Sequence, residues 1–299
     1  MFFANYFVGL LAVALSLETA FQLNLPLNSP AYYILLLSAT VFYYTKAYSV
    51  PVSNVASPNP RTEWYRQHYR FEQGSQWFFL AICVALGSWF LIKDFSKILQ
   101  LPLYYWLALS SVPVAAVLYY GLLPKSIISF NLRRTGWFKA FVIGFVWAGC
   151  VNLFPITMLR IEHGITVTEP ILMLWLFIKN WMFCTVNAIM FDMKDYEDDA
   201  NIELKTFAVR FGLQRTVYYV LVPLLLIGLL SFLTFAVYRN FSPVTVLLNL
   251  IPSICLLVVA FSLHKPRKIL YYLIVIDGLL LVKAICGITG ILFEQSHHA

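Results

Sequence analysis

Long apolar runs, punctuated by short charged ones, set the pattern of this chain. Nine segments, roughly residues 2–23, 31–49, 76–92, 101–123, 138–156, 170–190, 217–238, 243–263 and 269–292, carry almost no charge. Each is about 20 residues long, the length an α-helix needs to cross ~30 Å of hydrocarbon. Membrane strands would instead show ~10-residue segments of alternating polarity. A backbone in lipid must satisfy its own polar groups, so runs of this length read as helices. The pattern predicts an all-α polytopic membrane protein with about nine transmembrane helices, a single integral-membrane domain over residues 1–299. The first run is expected to remain as a helix and not to be cleaved as a signal peptide. No Lys or Arg precedes Lys46, and Glu18 lies inside the run.

Composition agrees. Hydrophobic residues make up 61% and charged residues 12%, against about 25% charged in a soluble domain, so there is too little polar surface to face water on all sides. The basic residues are unevenly placed. Fifteen of them, from Lys46 to Lys268, fall in the connections after the second, fourth, sixth and eighth runs, and only Lys93, Lys97, Arg160 and Arg239 fall in the others. The positive-inside rule then puts the even-numbered connections in the cytoplasm, with both termini expected outside, in a bacterial inner membrane. The net charge of +7 reflects this bias, so no nucleic acid is needed to explain it. Cys83, Cys150, Cys184, Cys255 and Cys286 all lie within the runs without paired spacing. They read as small buried hydrophobes, not as disulfides or metal ligands.

One stretch departs from the grease. The segment FDMKDYEDDANIELKTFAVRFG, residues 191–212, places Asp192, Asp195, Glu197, Asp198 and Asp199 within eight positions at the end of the sixth run. On a helix, Asp192, Asp195 and Asp199 stand at about 0°, 300° and 340°, one face within roughly 60°. Glu197 and Asp198 point elsewhere. Three carboxylates on one face repel each other unless a cation neutralises them. Oxygen ligands without His or Cys suit Mg²⁺, which completes its shell with water and substrate phosphate. The competing account is a polar helix end wetting itself at the interface. Lys205 and Arg210 bring positive charge close by, which suits a diphosphate. Asn187, one turn earlier, points within about 80° of Asp195 and is placed to cap the site.

The stretch DMKDYEDDANIELKTFAVRFG resembles the second aspartate motif of UbiA-type intramembrane prenyltransferases, D-x-x-D-x-x-x-D followed by a basic residue, Thr and an apolar run ending in Gly. The segment LYYGLLPKSIISFNLRRTGWFKAFVIGFVWAG, residues 118–149, is similar to the Tyr-then-basic segment leading into that family's fifth helix. The resemblance implies a UbiA-like bundle and an enzyme, a prenyltransferase. It would transfer the prenyl group of an isoprenoid diphosphate to an acceptor within the membrane. On this reading Asp192, Asp195 and Asp199 are catalytic and bind Mg²⁺, and Lys139 and Lys205 help at the phosphates. The family's first motif, N-D-x-x-D-x-x-x-D at the end of the second helix, is degenerate here. Residues 41–74, VFYYTKAYSVPVSNVASPNPRTEWYRQHYRFEQG, contain no Asp. Thr45 and Lys46 stand where the Asn and first Asp belong, and NPRTEWYRQH resembles the loop of a divergent branch with a reduced first motif.

Lys46 is therefore the candidate to replace one metal ion with a cation facing the diphosphate. Glu63 and Glu72 read as salt-bridge partners of Arg61, Arg66 and Arg70, worth little at a surface. Glu18, Lys179, Asp277 and Lys283 lie inside runs, either facing the bundle interior or snorkelling from its ends. Asp277 and Lys283, six apart, do not share a face. The aromatic residues, 25 Phe, 18 Tyr and 8 Trp, suit an isoprenoid tunnel or a lipid-facing belt. Three readings stand: a Mg-dependent prenyltransferase, a non-catalytic isoprenoid- or partner-binding relative, and an ion-coupled transporter.

Overall fold

The computed structural model describes residues 1–48, 60–120, 136–196, 204–265 and 267–298. Its elements are helices: α1 Tyr6–Gln22, α2 Pro30–Tyr48, α3 Pro60–Gln67, α4 Tyr69–Lys93 and α5 Leu103–Tyr120. Then come α6 Gly136–His163, α7 Pro170–Lys194, α8 Leu213–Tyr238, α9 Pro243–Ser262 and α10 Ile269–Ser296. Six of these, α4 and α6 to α10, are long and apolar enough to cross a membrane, and α1 and α5 contribute shorter apolar segments. Each expected segment falls on a helix, and among the described residues length and composition alone establish six crossings. Trp77, Val84, Ile92, Leu107 and Val237 are exposed on the outside of the bundle, as a lipid-facing surface requires.

Two helices run further than their polarity suggests. Pro155 and Pro223 would each clash with the carbonyl four residues earlier and leave a hydrogen bond unmade. In both cases a π turn precedes the proline, Gly149–Leu153 in α6 and Val217–Leu221 in α8. The wider turn takes up the misfit, so the helix continues. The first of these turns also seats Asn152. Its Oδ1 accepts from Thr19 Oγ1 at 3.1 Å and from Asn180 Nδ2 at 3.0 Å, and its Nδ2 donates to the Ala148 carbonyl at 2.8 Å.

α1 and α10 run parallel. Asn5 and Asp277 line one cavity, Glu18 meets Lys283, Gln22 Nε2 donates to the Gly287 carbonyl at 3.2 Å, and Gln295 Nε2 donates to Asn24 Oδ1 at 3.0 Å. The chain therefore begins at one end of the bundle and finishes at the other. This overturns the expectation that both termini lie outside: Met1 shares an end with the tails of α2 and α7, and the C-terminal residues lie at the opposite end. The snorkelling account of Glu18 and Lys283 also falls. Their charged atoms are 2.5 Å apart, with both side chains almost wholly buried. Neither could be buried alone, since breaking such a pair costs about 3–5 kcal/mol.

Candidate active site

The end of α7 is where the hydrophobic run gives way to FDMKDY. The helix stops at Lys194, and the Asp195 N–H folds back onto the Asp192 carbonyl at 3.2 Å. Asp192 thus remains on the helix and is buried, while Asp195 is half-buried. Asp192 Oδ1 lies 2.7 Å from Lys139 Nζ on the first turn of α6, and Asp195 pairs with its neighbour Lys194. Asp199, Glu197 and Asp198 lie outside the described residues. Among the described residues no three His, Cys, Asp or Glu side chains gather around a metal-sized point.

Lys139 reaches Asp192 because α6 and α7 pack at close range. A Cβ on Gly144 would stand 2.3 Å from Thr185 Oγ1, and one on Gly136 would stand 2.4 Å from the Lys205 carbonyl carbon. Gly144→Ala should therefore destabilise the protein by about 1–3 kcal/mol through overpacking, measured as a lower thermal midpoint in detergent. A midpoint equal to wild type would mean that the helices can spread. The contact at Gly136 also holds the returning chain at the site's rim. There Thr206 caps the short helix Phe207–Phe211, its Oγ1 accepting the Val209 N–H at 3.3 Å. Lys205 itself presents its backbone to Gly136, and its side chain is exposed.

On the inner side of Phe191, Asn187 is buried, and its Oδ1 has no hydrogen-bond donor among the described residues. It faces a cavity of about 80 Å³, room for several waters. Tyr44, Ile143, Trp147, Cys184, Phe191 and Asp277 wall this cavity, with Asn5 and Arg61 at one side. Trp147 Nε1 donates to the Tyr44 hydroxyl at 2.6 Å, with the ring centroids 6.0 Å apart, so the aromatic wall is held in place.

Arg61 enters from α3. It donates to Asn5 Oδ1 at 2.5 Å, while Asn5 Nδ2 donates to the Tyr65 hydroxyl at 3.1 Å and to Thr45 Oγ1 at 3.4 Å. Asn5 has φ 60°, a left-handed conformation that Asn tolerates better than most residues. Burial pushes the Tyr65 hydroxyl above its usual pKa against the opposing pull of Arg61. It stays protonated and donates to the Phe3 carbonyl at 2.8 Å. The segment PRTEWYRQH, residues 60–68, is thereby fastened to the start of α1 and the end of α2.

Of the residues singled out in the sequence, the structure brings Asp192 to Lys139 and places Asn187 in the cavity wall. Lys46 is exposed at the end of α2 and is not among the cavity's walls, whereas its neighbour Thr45 is buried and donates to the Ala4 carbonyl at 3.3 Å. Sequence reasoning missed Arg61, which it left among surface pairs. It is Arg66 that takes Glu63, at 2.5 Å on the surface, and Glu72 is buried and bonded to Gln76. The available signal was that Arg61 and Tyr65, four apart, share a face of α3. Asp277, noted only as an intramembrane charge, lines the cavity just beyond the π turn Tyr272–Ile276.

These features define a helical membrane protein with a cavity at one end of its bundle, walled by rings, amides and charges, beside a buried carboxylate–ammonium pair. The sequence model of the UbiA prenyltransferase family matches residues 69–269, about two thirds of the chain, and the protein belongs to that family. The match leaves out Lys46 and Arg61, where the degenerate first motif stands, and contains the whole of Asp192–Gly212. No curated protein and no solved structure matches the chain.

Proposed function

We propose that this protein transfers the prenyl group of an isoprenoid diphosphate to an acceptor within the membrane. The observation that carries this reading is the buried Asp192–Lys139 pair beside a cavity with aromatic walls, in a chain of a prenyltransferase family. The donor chemistry suits Mg²⁺: carboxylate oxygens on Asp192 and Asp195, joined by Asp199 in the sequence, while Asn187, its amide oxygen still open as an acceptor, faces the cavity. These aspartates would hold the ion, which when bound neutralises diphosphate charge.

The chain's own groups do the rest. Lys139, held by Asp192, places an ammonium at the α6 rim, and Lys205 stands on the returning segment beside it. Arg61 supplies a guanidinium from the side that lacks the first aspartate cluster. Together these cations stabilise the departing diphosphate. The Trp147, Tyr44 and Phe191 rings present π faces to the allylic cation left behind and exclude water from it. Acceptor attack at that carbon forms the new bond, and the proton the acceptor loses passes to the released diphosphate or to water.

The direct test incubates purified protein with radiolabelled prenyl diphosphates of several chain lengths, with and without Mg²⁺, and measures released diphosphate. Mg-dependent release is expected. A non-catalytic role is the second reading, favoured by the absence of Asp from residues 41–74. It predicts binding of the same compounds without release. Asp277 and Lys283 do not support a transport path, since one lines the cavity and the other pairs with Glu18.

The same reading takes residues 1–299 as one domain with nine crossings, counting α1, α2 and α5, and puts the acidic segment and Met1 in the cytoplasm. In a background lacking Cys83, Cys150, Cys184, Cys255 and Cys286, a cysteine at 46 should resist an impermeant maleimide added to intact cells, and one at 295 should react. The reverse pattern would invert the topology.

A further inference from the structure

Lys179 lies on α7 nine residues beyond Pro170 and fifteen before Lys194, about 13 Å and 22 Å from the two ends. Its side chain is too short to reach either interface. Instead Nζ donates to Asn249 Oδ1 on α9 at 3.2 Å and stands 5.5 Å from the Trp175 ring centroid and 5.6 Å from that of Phe232. Asn249 is held in that orientation, since its Nδ2 donates to the Thr245 carbonyl at 3.0 Å. Lys179 makes no other hydrogen bond or ion pair among the described residues. The carboxylate within electrostatic reach, Glu18, is already 2.5 Å from Lys283. Two lysines therefore share one carboxylate at a depth where an unmatched charge is costly.

The amine faces a groove between α7, α8 and α9, distinct from the cavity at the end of α7. Met182, Leu224, Leu225 and Gly228 form its apolar wall, with the Ser231 and Ser253 side chains alongside. Its enclosed space is about 60 Å³, a few water volumes. That admits a small headgroup but not a chain, which must continue along the lipid-facing surface. One excess positive charge matches a monoanion. A diphosphate carries too much charge for a single ammonium in hydrocarbon, and a phospholipid headgroup is held at the interface. A carboxylic acid crosses hydrocarbon in its neutral form, and once its proton is lost to water its carboxylate balances the ammonium.

We propose that this groove binds a long-chain carboxylic acid from the membrane, its headgroup on Lys179 and Asn249 and its chain along α8. The site is independent of prenyl transfer. The test uses the protein in nanodiscs with a photo-crosslinkable, alkyne-tagged palmitic acid. Crosslinks should map to α7, α8 or α9, and palmitate should compete where methyl palmitate does not. Lys179→Met should reduce labelling roughly tenfold, as loss of a charge-assisted contact does. Gly228→Leu keeps every charge and fills the groove, because a Cβ there meets only Met182 Cε, at 4.0 Å. It should reduce labelling equally, and it decides the matter should Lys179→Met fail to fold. Labelling that survives Gly228→Leu, or that methyl palmitate competes as well as palmitate does, would overturn the proposal.

Discussion

Asp192→Ala is expected to lower the rate of diphosphate release by about 10²–10³-fold, the range seen when one preorganised electrostatic partner is removed from a transition state. Asp198→Ala should stay close to wild type. The contrast follows from geometry. Asp192 is buried at the end of α7 with its Oδ1 on Lys139, whereas Asp198 belongs to the acidic run beyond the end of that helix and falls outside the D-x-x-D-x-x-x-D spacing. Asp192→Ala also strands Lys139, whose side chain is only 17% exposed, so part of its effect could come from instability. Asp192→Asn separates the two causes. It keeps the volume and a hydrogen-bond acceptor for Lys139 while losing the charge that holds a cation. Its thermal midpoint should stay near wild type while its rate falls nearly as far as in Asp192→Ala. Equal losses in Asp192→Asn and Asp198→Ala, measured at saturating Mg²⁺, would show that bulk negative charge matters and position does not.

Much of this arrangement was open to reading in one dimension. In lipid a helix must be apolar along its whole length, so α4 and α6 to α10 stand out as runs, and the carboxylates at the end of α7 stand out by contrast. What escaped depends on partners far apart in sequence. Glu18 and Lys283 are 265 residues apart, and no local spacing couples them, so the sequence left an interior position and a snorkelling helix end equally open for each. The extension of α6 past Pro155 depends on a π turn, a backbone adjustment with no residue signature. Lys139 and Asp192 were each legible as site residues, but their contact rests on the close packing of α6 on α7 permitted at Gly144. The placement of the termini failed for a simpler reason: nine crossings are an odd number and put the two ends on opposite sides, in keeping with the parallel α1 and α10.

Replacing Arg61 should be costly where replacing Lys46 is not. The sequence points to Lys46, which stands in the position of the family's first aspartate, but that side chain is exposed at the end of α2. The cation that lines the cavity is Arg61, buried on α3 and anchored to Asn5. A guanidinium offers a planar fork of donors that matches a phosphate, and it cannot lose its charge. On the reading of a prenyltransferase, it provides on the first-motif side the positive charge that a carboxylate-bound ion would otherwise bring. Arg61→Met should therefore slow release by about 10²-fold, and Lys46→Met by less than about threefold. Because Arg61 also fastens α3, a fall in rate alone is ambiguous. Tyr65→Phe is the control: it deletes the hydroxyl that takes the Asn5 amide and reaches the Phe3 carbonyl while sparing the guanidinium. If Tyr65→Phe slows the reaction as much as Arg61→Met, the anchoring of α3 is what matters. If Arg61→Met alone is slow, and Arg61→Lys recovers part of the rate, the charge acts on the diphosphate. A slow Lys46→Met beside a fast Arg61→Met would return the role to Lys46.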